Sequence, residues 1–193
     1  AGWIAAAGEL ANNTEQTFVH KILLPEVSFD EEKFLSGVEK DIGEQGYSVI
    51  IASEGLKNKN GELYASSTET DSFGHSQLGG LAPKIASLIT NKLGLKNHWS
   101  VADYLQRSAR HISSLTDIEQ AVAVGKAAVK LAAQGKSGVM PIIKRISDSP
   151  YAWTISEGDL NEIANEEKTL PKNFISNDGF RITKAGIDYL QPL

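Results

Sequence analysis

The stretch that most constrains this chain is Gly46-Tyr47-Ser48-Val49-Ile50-Ile51-Ala52-Ser53-Glu54-Gly55-Leu56. A glycine opens a short run of β-branched and apolar residues, and a polar Ser-Glu-Gly closes it. A continuous apolar run of this length, bounded by turn residues, predicts a strand buried on both faces of a parallel sheet. In open α/β sheets ligands bind at the carboxyl ends of strands, and Glu54 stands at that end. Gly55 carries no side chain, which leaves room for a ligand to approach the backbone. On spacing alone, a solvated glutamate in a strand-to-loop turn is the preferred reading of Glu54.

The flanking sequence supplies the rest of an α/β unit. Lys21-Ile22-Leu23-Leu24-Pro25-Glu26 is a short strand ended by its proline. Ser28-Phe29-Asp30-Glu31 matches a capping box. It predicts a helix with Phe34, Leu35, Val38 and Ile42 on one face, ending near Gly46. Strand, helix and strand within about 35 residues is the βαβ signal.

Residues 3–13 suit a buried helix, and residues 57–77 a polar loop with a hairpin near Asn60-Gly61. A helix is expected from Gly79 to Leu93, stopped by Gly94, and an extended segment from His98 to Arg107. Thr116-Asp117-Ile118-Glu119 is a second capping box. Its helix aligns Ile118, Val122, Gly125, Val129 and Ala132, so Gly125 predicts close contact with a neighbouring element. Gly135 and Gly138 end it. Val139–Ile146 reads as a strand, 150–156 as a shorter one, and Asp159–Lys168 and Thr183–Leu190 as helices. The expected class is α/β, with a mostly parallel sheet flanked by helices.

The 193 residues suffice for one domain or one lobe of something larger. A net charge of -5 argues against nucleic acid as a main partner, because phosphate backbones call for a basic face. The chain has no cysteine, which removes disulfides, thiolate metal sites and cysteine nucleophiles and fits a reducing cytoplasm. No apolar run approaches the ~20 residues of a membrane span. The chain opens on Ala1-Gly2-Trp3 with no initiator Met and no helix cap, and we read it as a piece of a longer protein.

His20, His75, His98 and His111 make no zinc-binding pair, and no Walker loop, GxGxxG or GxSxG occurs. Gly79-Gly80 either seats an anion on exposed N–H groups or is only a loop-to-helix junction. Asp71-Ser72-Phe73-Gly74-His75 either places an aromatic ring and a histidine beside a ligand or packs on itself. In Tyr104-Leu105-Gln106-Arg107, alternation on a strand puts Tyr104 and Gln106 on one face and Leu105 and Arg107 on the other. Arg107 at a strand end can grip a phosphate bidentately, with the Tyr104 hydroxyl as a neutral donor. The alternative is a surface arginine paired with an acid.

Taken in order, Ser53-Glu54-Gly55, Asp71 with Phe73-Gly74-His75, Leu78-Gly79-Gly80, Tyr104-Leu105-Gln106-Arg107 and Tyr189-Leu190-Gln191-Pro192-Leu193 resemble 6-phosphofructokinases. The branch is the pyrophosphate-using one, the diphosphate–fructose-6-phosphate 1-phosphotransferases. Ala1-Gly2-Trp3-Ile4-Ala5 looks like the continuation of that family's Met-Gly-Arg motif. The resemblance covers essentially the whole chain and corresponds to about the second half of a catalytic subunit.

The resemblance implies one lobe of a two-lobed subunit, with the whole chain, 1–193, holding fructose 6-phosphate. It implies that Glu54 binds sugar hydroxyls and that Tyr104 and Arg107 grip the 6-phosphate. The ATP-using branch has histidine where Tyr104 stands, which favours pyrophosphate as donor. The family's arginine six residues earlier, contributed across a subunit interface as part of a phosphate clamp, is replaced here by His98. The magnesium ligands, the donor glycines and the catalytic aspartate of the family would precede Ala1, so this chain alone is expected to bind and not to catalyse. The implied parent is a cytoplasmic, glycolytic, magnesium-dependent homo-oligomer with no membrane or nucleic-acid partner. The alternatives are an ATP-dependent phosphofructokinase and a non-catalytic sugar-phosphate-binding regulatory subunit.

Overall fold

The computed structural model describes residues 2–70, 76–78 and 80–192, without the side chains of residues 66–70, 76–78, 106, 107 and 110. The chain divides into two compact units, Ala1–Val101 with Lys168–Asp188, and Ala102–Glu167 with Tyr189–Leu193.

The first unit contains the predicted βαβ arrangement. Strand β1 (Lys21–Leu23) pairs in parallel with β2 (Ile50–Ala52), in the register Lys21↔Ile50, Ile22↔Ile51 and Leu23↔Ala52. Leu23 and Leu24 are fully buried, and Pro25 follows the strand end. Between the strands runs α2 (Glu31–Gln45), with Phe34 and Val38 buried and Leu35 and Ile42 packed against the same core. Its cap is Asp30, whose side chain accepts the Lys33 N–H, two residues past the serine of the expected capping box. Gly46 ends it at φ 81°, in the left-handed region where a glycine carries no Cβ penalty.

Helix α3 (Leu81–Leu93) lies between Gly80 and Gly94, at φ 82° and 66°, and buries Leu81, Ile85, Ala86 and Ile89. These residues complete a core with Leu23, Phe29, Phe34, Val38 and Leu56. Burying side chains of this size contributes about 1.5–3 kcal/mol each.

Two contacts bind the amino-terminal helix α1 (Trp3–Ala7), and the 3₁₀ turn Gly8–Ala11 after it, to residues from near the carboxyl terminus. Glu26 Oε1 accepts N–H groups from both Gly2 and Leu170 at 3.0 Å. Glu9, 3% exposed, receives Arg181 Nε on both carboxylate oxygens at 2.9 and 3.0 Å, a further bond from Arg181 Nη2, and the Ile182 N–H at 3.2 Å.

The structure corrects several expectations in this unit. The strand expected to end at Ser53 is three residues long and half-buried, because its only ladder partner among the described residues is β1. The helix expected over 3–13 is α1 plus a single 3₁₀ turn. Residues 57–77 are more than a loop. A Lys57↔Leu63 bridge closes the hairpin expected around Asn60-Gly61, and β3 (Ser66–Thr70) pairs antiparallel with β4 (Ser76–Leu78).

The second unit is a helical turn, α4 (Leu105–Ser108), a long helix, α5 (Leu115–Ala133), and a long antiparallel hairpin. Its strands β5 (Val139–Asp148) and β6 (Tyr151–Asp159) run from Val139↔Asp159 to Asp148↔Tyr151, with a register shift between Arg145 and Ser147. Both are longer than expected. The short helix α6 (Leu160–Ile163) follows, in place of the longer one expected over Asp159–Lys168. Ser114, not Thr116, caps α5 by accepting the Asp117 N–H. Gly125 contradicts its prediction: a Cβ placed there meets nothing within 4 Å, and Ile118, Val122 and Val129 on the same stripe are exposed. The Arg145 guanidinium lies between the rings of Tyr151 and Tyr189, at 4.7 and 4.3 Å, and donates from Nη1 to the Tyr189 carbonyl at 2.7 Å. Tyr189 belongs to the last helix, α7 (Lys184–Leu190), close to the predicted Thr183–Leu190.

The class is α/β, but the described strands form three two-stranded sheets, of which only β1–β2 is parallel. The expectation of a mostly parallel sheet is corrected accordingly, since both hairpins pair antiparallel. No helix among the described residues is long and apolar enough to cross a membrane.

Candidate functional site

Glu54 sits where the sequence puts it, just past the carboxyl end of β2. The Ser53 N–H continues the ladder to the Leu23 carbonyl at 3.0 Å, and the Leu56 N–H then closes a turn on the Ser53 carbonyl at 3.0 Å. Glu54 and Gly55 are the two residues inside that turn. Glu54 is half-buried, and its Oε2 accepts the Leu81 N–H at 3.3 Å, capping α3. A carboxylate there meets the positive end of the helix, which favours it by a few tenths to about 1 kcal/mol.

At the start of α3 the Glu54 carboxylate therefore takes the first N–H of the helix. Beside it, a Cβ at Gly55 would meet Pro25 carbons at 3.4 and 3.5 Å, ordinary contact distances. Gly79, Asp71 and Phe73-Gly74-His75 lie outside the described residues.

The capped end of α3 is braced from below by residues that sequence reasoning missed. The Lys84 ammonium lies 4.2 Å over the Tyr64 ring and donates to the Tyr64 carbonyl. The Tyr64 hydroxyl donates to Glu31 Oε1 at 2.6 Å, and burial together with that neighbouring carboxylate pushes the phenol well above its usual range. Nothing in the local sequence pairs Tyr64 with Lys84 or Glu31, which come from three different elements.

Residues of α2, β2, α3 and the segment 95–100 line a groove of about 590 Å³. Its floor includes Val38, Ile42, Ile85 and Ile89, and its rim carries Lys96, His98 and Trp99. His98 is thus an exposed rim residue, and its segment carries no strand.

Tyr104 and Arg107 belong to the second unit. Here the expected strand gives way to a turn. Asp103 adopts φ 39°, which extended backbone does not allow, and the Leu105 N–H closes on the Ala102 carbonyl at 2.8 Å. Tyr104 becomes the N-cap residue of the helical turn α4, and its carbonyl accepts both the N–H and the hydroxyl of Ser108 at 3.0 Å. The strand alternation invoked for Tyr104 and Arg107 therefore does not apply. Tyr104 is 72% exposed. The Arg107 side chain lies outside the described residues, and Glu54 stands in the other unit.

Comparison with known proteins adds a class to this geometry. No protein-family model matches the chain. Two crystal structures match all of it, from Marinobacter aquaeolei at TM-score 0.80 and 47% identity, and from Nitrosospira multiformis at TM-score 0.81 and 48% identity. Both are phosphofructokinases, and the chain covers 44% of each. More narrowly, both are pyrophosphate-dependent. Two sequence relatives carry the same name: the chain is 54% identical to the pyrophosphate–fructose 6-phosphate 1-phosphotransferase of Methylococcus capsulatus and 51% identical to that of Halomonas elongata, over 193 residues in each case. The chain therefore resembles pyrophosphate-dependent phosphofructokinases along its entire length, and it spans 46% of the length of these two relatives.

Proposed function

We propose that this chain is the fructose-6-phosphate-holding part of a pyrophosphate-dependent 6-phosphofructokinase. In this reading residues 1–193 form part of one lobe of a two-lobed α/β subunit. The parent enzyme moves a phosphoryl group from pyrophosphate to O1 of fructose 6-phosphate. The observation that carries the reading is the 54% identity to such an enzyme over the full chain.

The chemistry on this chain agrees with that division. Glu54 offers carboxylate lone pairs to sugar hydroxyls, and its bond to Leu81 fixes one oxygen while leaving acceptor capacity on the other. A carboxylate repels a phosphate, so the 6-phosphate falls to a cation, and Arg107 is assigned that role with the Tyr104 hydroxyl beside it. Residues three apart on a helical turn share a side of it, so the turn at 105–108 serves the pair as well as a strand end would.

Phosphoryl transfer rests on positioning and on neutralising charge around the transferred group. Magnesium supplies that neutralisation in this class of reaction. Among the described residues no group of three acidic or histidine side chains is placed to hold a metal, and this reading assigns the metal to none of them. The reading also takes the parent to be a cytoplasmic homo-oligomer.

Titration of the chain with fructose 6-phosphate, fructose and inorganic phosphate tests the assignment. Fructose 6-phosphate is expected to bind more tightly than either component. Glu54→Gln should weaken the sugar component, and Arg107→Ala should weaken fructose 6-phosphate by at least about tenfold, equivalent to roughly 1.4 kcal/mol. Binding that is indifferent to Arg107 would overturn the phosphate assignment.

A further inference from the structure

His20, the residue before β1, is 6% exposed, and both of its ring nitrogens are engaged. Its backbone N–H donates to the Val49 carbonyl at 2.9 Å, and the Val49 N–H donates back into ring Nδ1 at 3.1 Å. The far nitrogen, Nε2, lies 3.0 Å from Oε1 of Gln45 in the last turn of α2. A backbone N–H only donates, so Nδ1 carries no proton. The proton is therefore on Nε2 and is donated to the Gln45 oxygen. One neutral tautomer satisfies every partner at once.

A second proton defeats this arrangement. On Nδ1 it turns an acceptor into a donor facing the Val49 N–H, and it places a cation next to the buried Lys21. His20 lines a cavity with Lys21, Asp41 and Glu44, and these acids are already engaged. Asp41 pairs with Lys21 at 2.8 Å and accepts the Ser48 hydroxyl, and Glu44 faces Lys40 at 3.8 Å. Lys33, Arg181 and Asp178 also line this cavity, and the Tyr47 ring packs edge-on against the imidazole at 5.0 Å.

We propose that His20 is a proton-operated latch on the entry of β2. Neutral His20 clamps Val49, the residue before Ile50, and so sets the β1–β2 register. Protonated His20 gives up the Val49 N–H, while the His20 and Lys21 N–H groups still hold the Val49 carbonyl, and so loosens the start of the strand that leads to Glu54. The latch stands on this geometry alone. Only its consequence for ligand binding rests on the role given to Glu54, and the test below reads the latch without any sugar phosphate.

Histidine is the side chain whose charge ordinarily changes between about pH 5 and pH 8. The test follows the 193-residue chain across that range by NMR, reading the His20 ring resonances and the exchange protection of the Val49 and Ile50 amides, corrected for intrinsic exchange. Protection at Val49 is expected to fall by about fivefold to tenfold, the worth of one hydrogen bond, in step with protonation of the ring. His20→Asn, which keeps an acceptor at the δ position and does not titrate, should hold Val49 protected at every pH. A ring that protonates with Val49 protection unchanged would overturn the proposal. So would a ring that does not titrate, or the same loss of protection in His20→Asn. If that variant does not fold, the correlation in the unmodified chain decides the matter.

Discussion

Glu54 Oε2 accepts the Leu81 N–H at 3.3 Å, so the carboxylate assigned to the sugar is also the amino-terminal cap of α3. One side chain thereby couples the β2 turn to a helix that supplies three large residues of the core, Leu81, Ile85 and Ile89. The two duties separate by substitution. Glu54→Gln keeps an oxygen for the cap and loses the charge, so stability should drop little. Glu54→Ala removes the cap, at a cost of about 1 kcal/mol. Urea unfolding of both variants checks this. Equal losses in the two would show that the contact with Leu81 does not cap the helix.

The Glu9–Arg181 pair should matter more than a surface ion pair. Glu9 is 3% exposed and accepts from Asn12 and Ile182 as well as from Arg181. Arg181→Ala leaves a buried charge without its main partner, and about 3 kcal/mol of stability should be lost in denaturant unfolding. Exchanging the two residues, Glu9→Arg with Arg181→Glu, should not restore it, because the Asn12 and Ile182 donors would then face a guanidinium.

The same pair sets a pH dependence. Burial by itself pushes the Glu9 carboxyl up, but the hydrogen bonds from Arg181, Asn12 and Ile182 outweigh it and hold the group below its ordinary 4.5. A depressed carboxyl contributes stability that is present above the unfolded-state value and is lost as pH falls through the folded-state value. The stability gap between the unmodified chain and Arg181→Ala should therefore be widest at neutral pH and narrow below about 4.5. A gap that stays constant from neutral to acid pH would refute the assignment.

Two glycines should respond in opposite directions to alanine. At Gly186 a Cβ would collide with Ile182 Cγ2 and meet the Phe174 carbonyl at 3.2 Å, so Gly186→Ala should destabilise by about 1–3 kcal/mol. At Gly125, inside α5, the same atom meets nothing within 4 Å. Gly125→Ala should gain about 0.5–1 kcal/mol from helix propensity alone. Thermal melts of the two variants check both signs.

Local chemistry made the helix ends of this protein readable from sequence. Gly46 and Gly94 stop α2 and α3 in the left-handed conformation that glycine adopts without cost, and the β1–α2–β2 unit follows from its apolar spacing. The position of Glu54 after β2 was legible as well, since the polar Ser53-Glu54-Gly55 that closes the apolar run forms the turn at its end. The helix starts were less legible. Ser28 and Asp30 stand two residues apart, as do Ser114 and Thr116, and each is a competent cap; which one serves depends on where the chain enters the helix.

Tertiary structure decided the rest. The segment of Val101, Tyr104 and Leu105 was read as extended, but a strand forms only beside a partner edge, and Asp103 turns the chain into a helical turn instead, which the spacing of three and one between these residues also fits. The polar residues 66–70 and 76–78 pair as strands because the backbone ladder does not require apolar side chains. The stripe through Gly125 matched a packed helix face, and periodicity alone does not say whether anything lies against it. The bonds that join Glu54 to Leu81, Glu9 to Arg181 and His20 to Val49 span 27, 172 and 29 residues. No local pattern encodes contacts at that distance, because they exist only once the separate elements have packed.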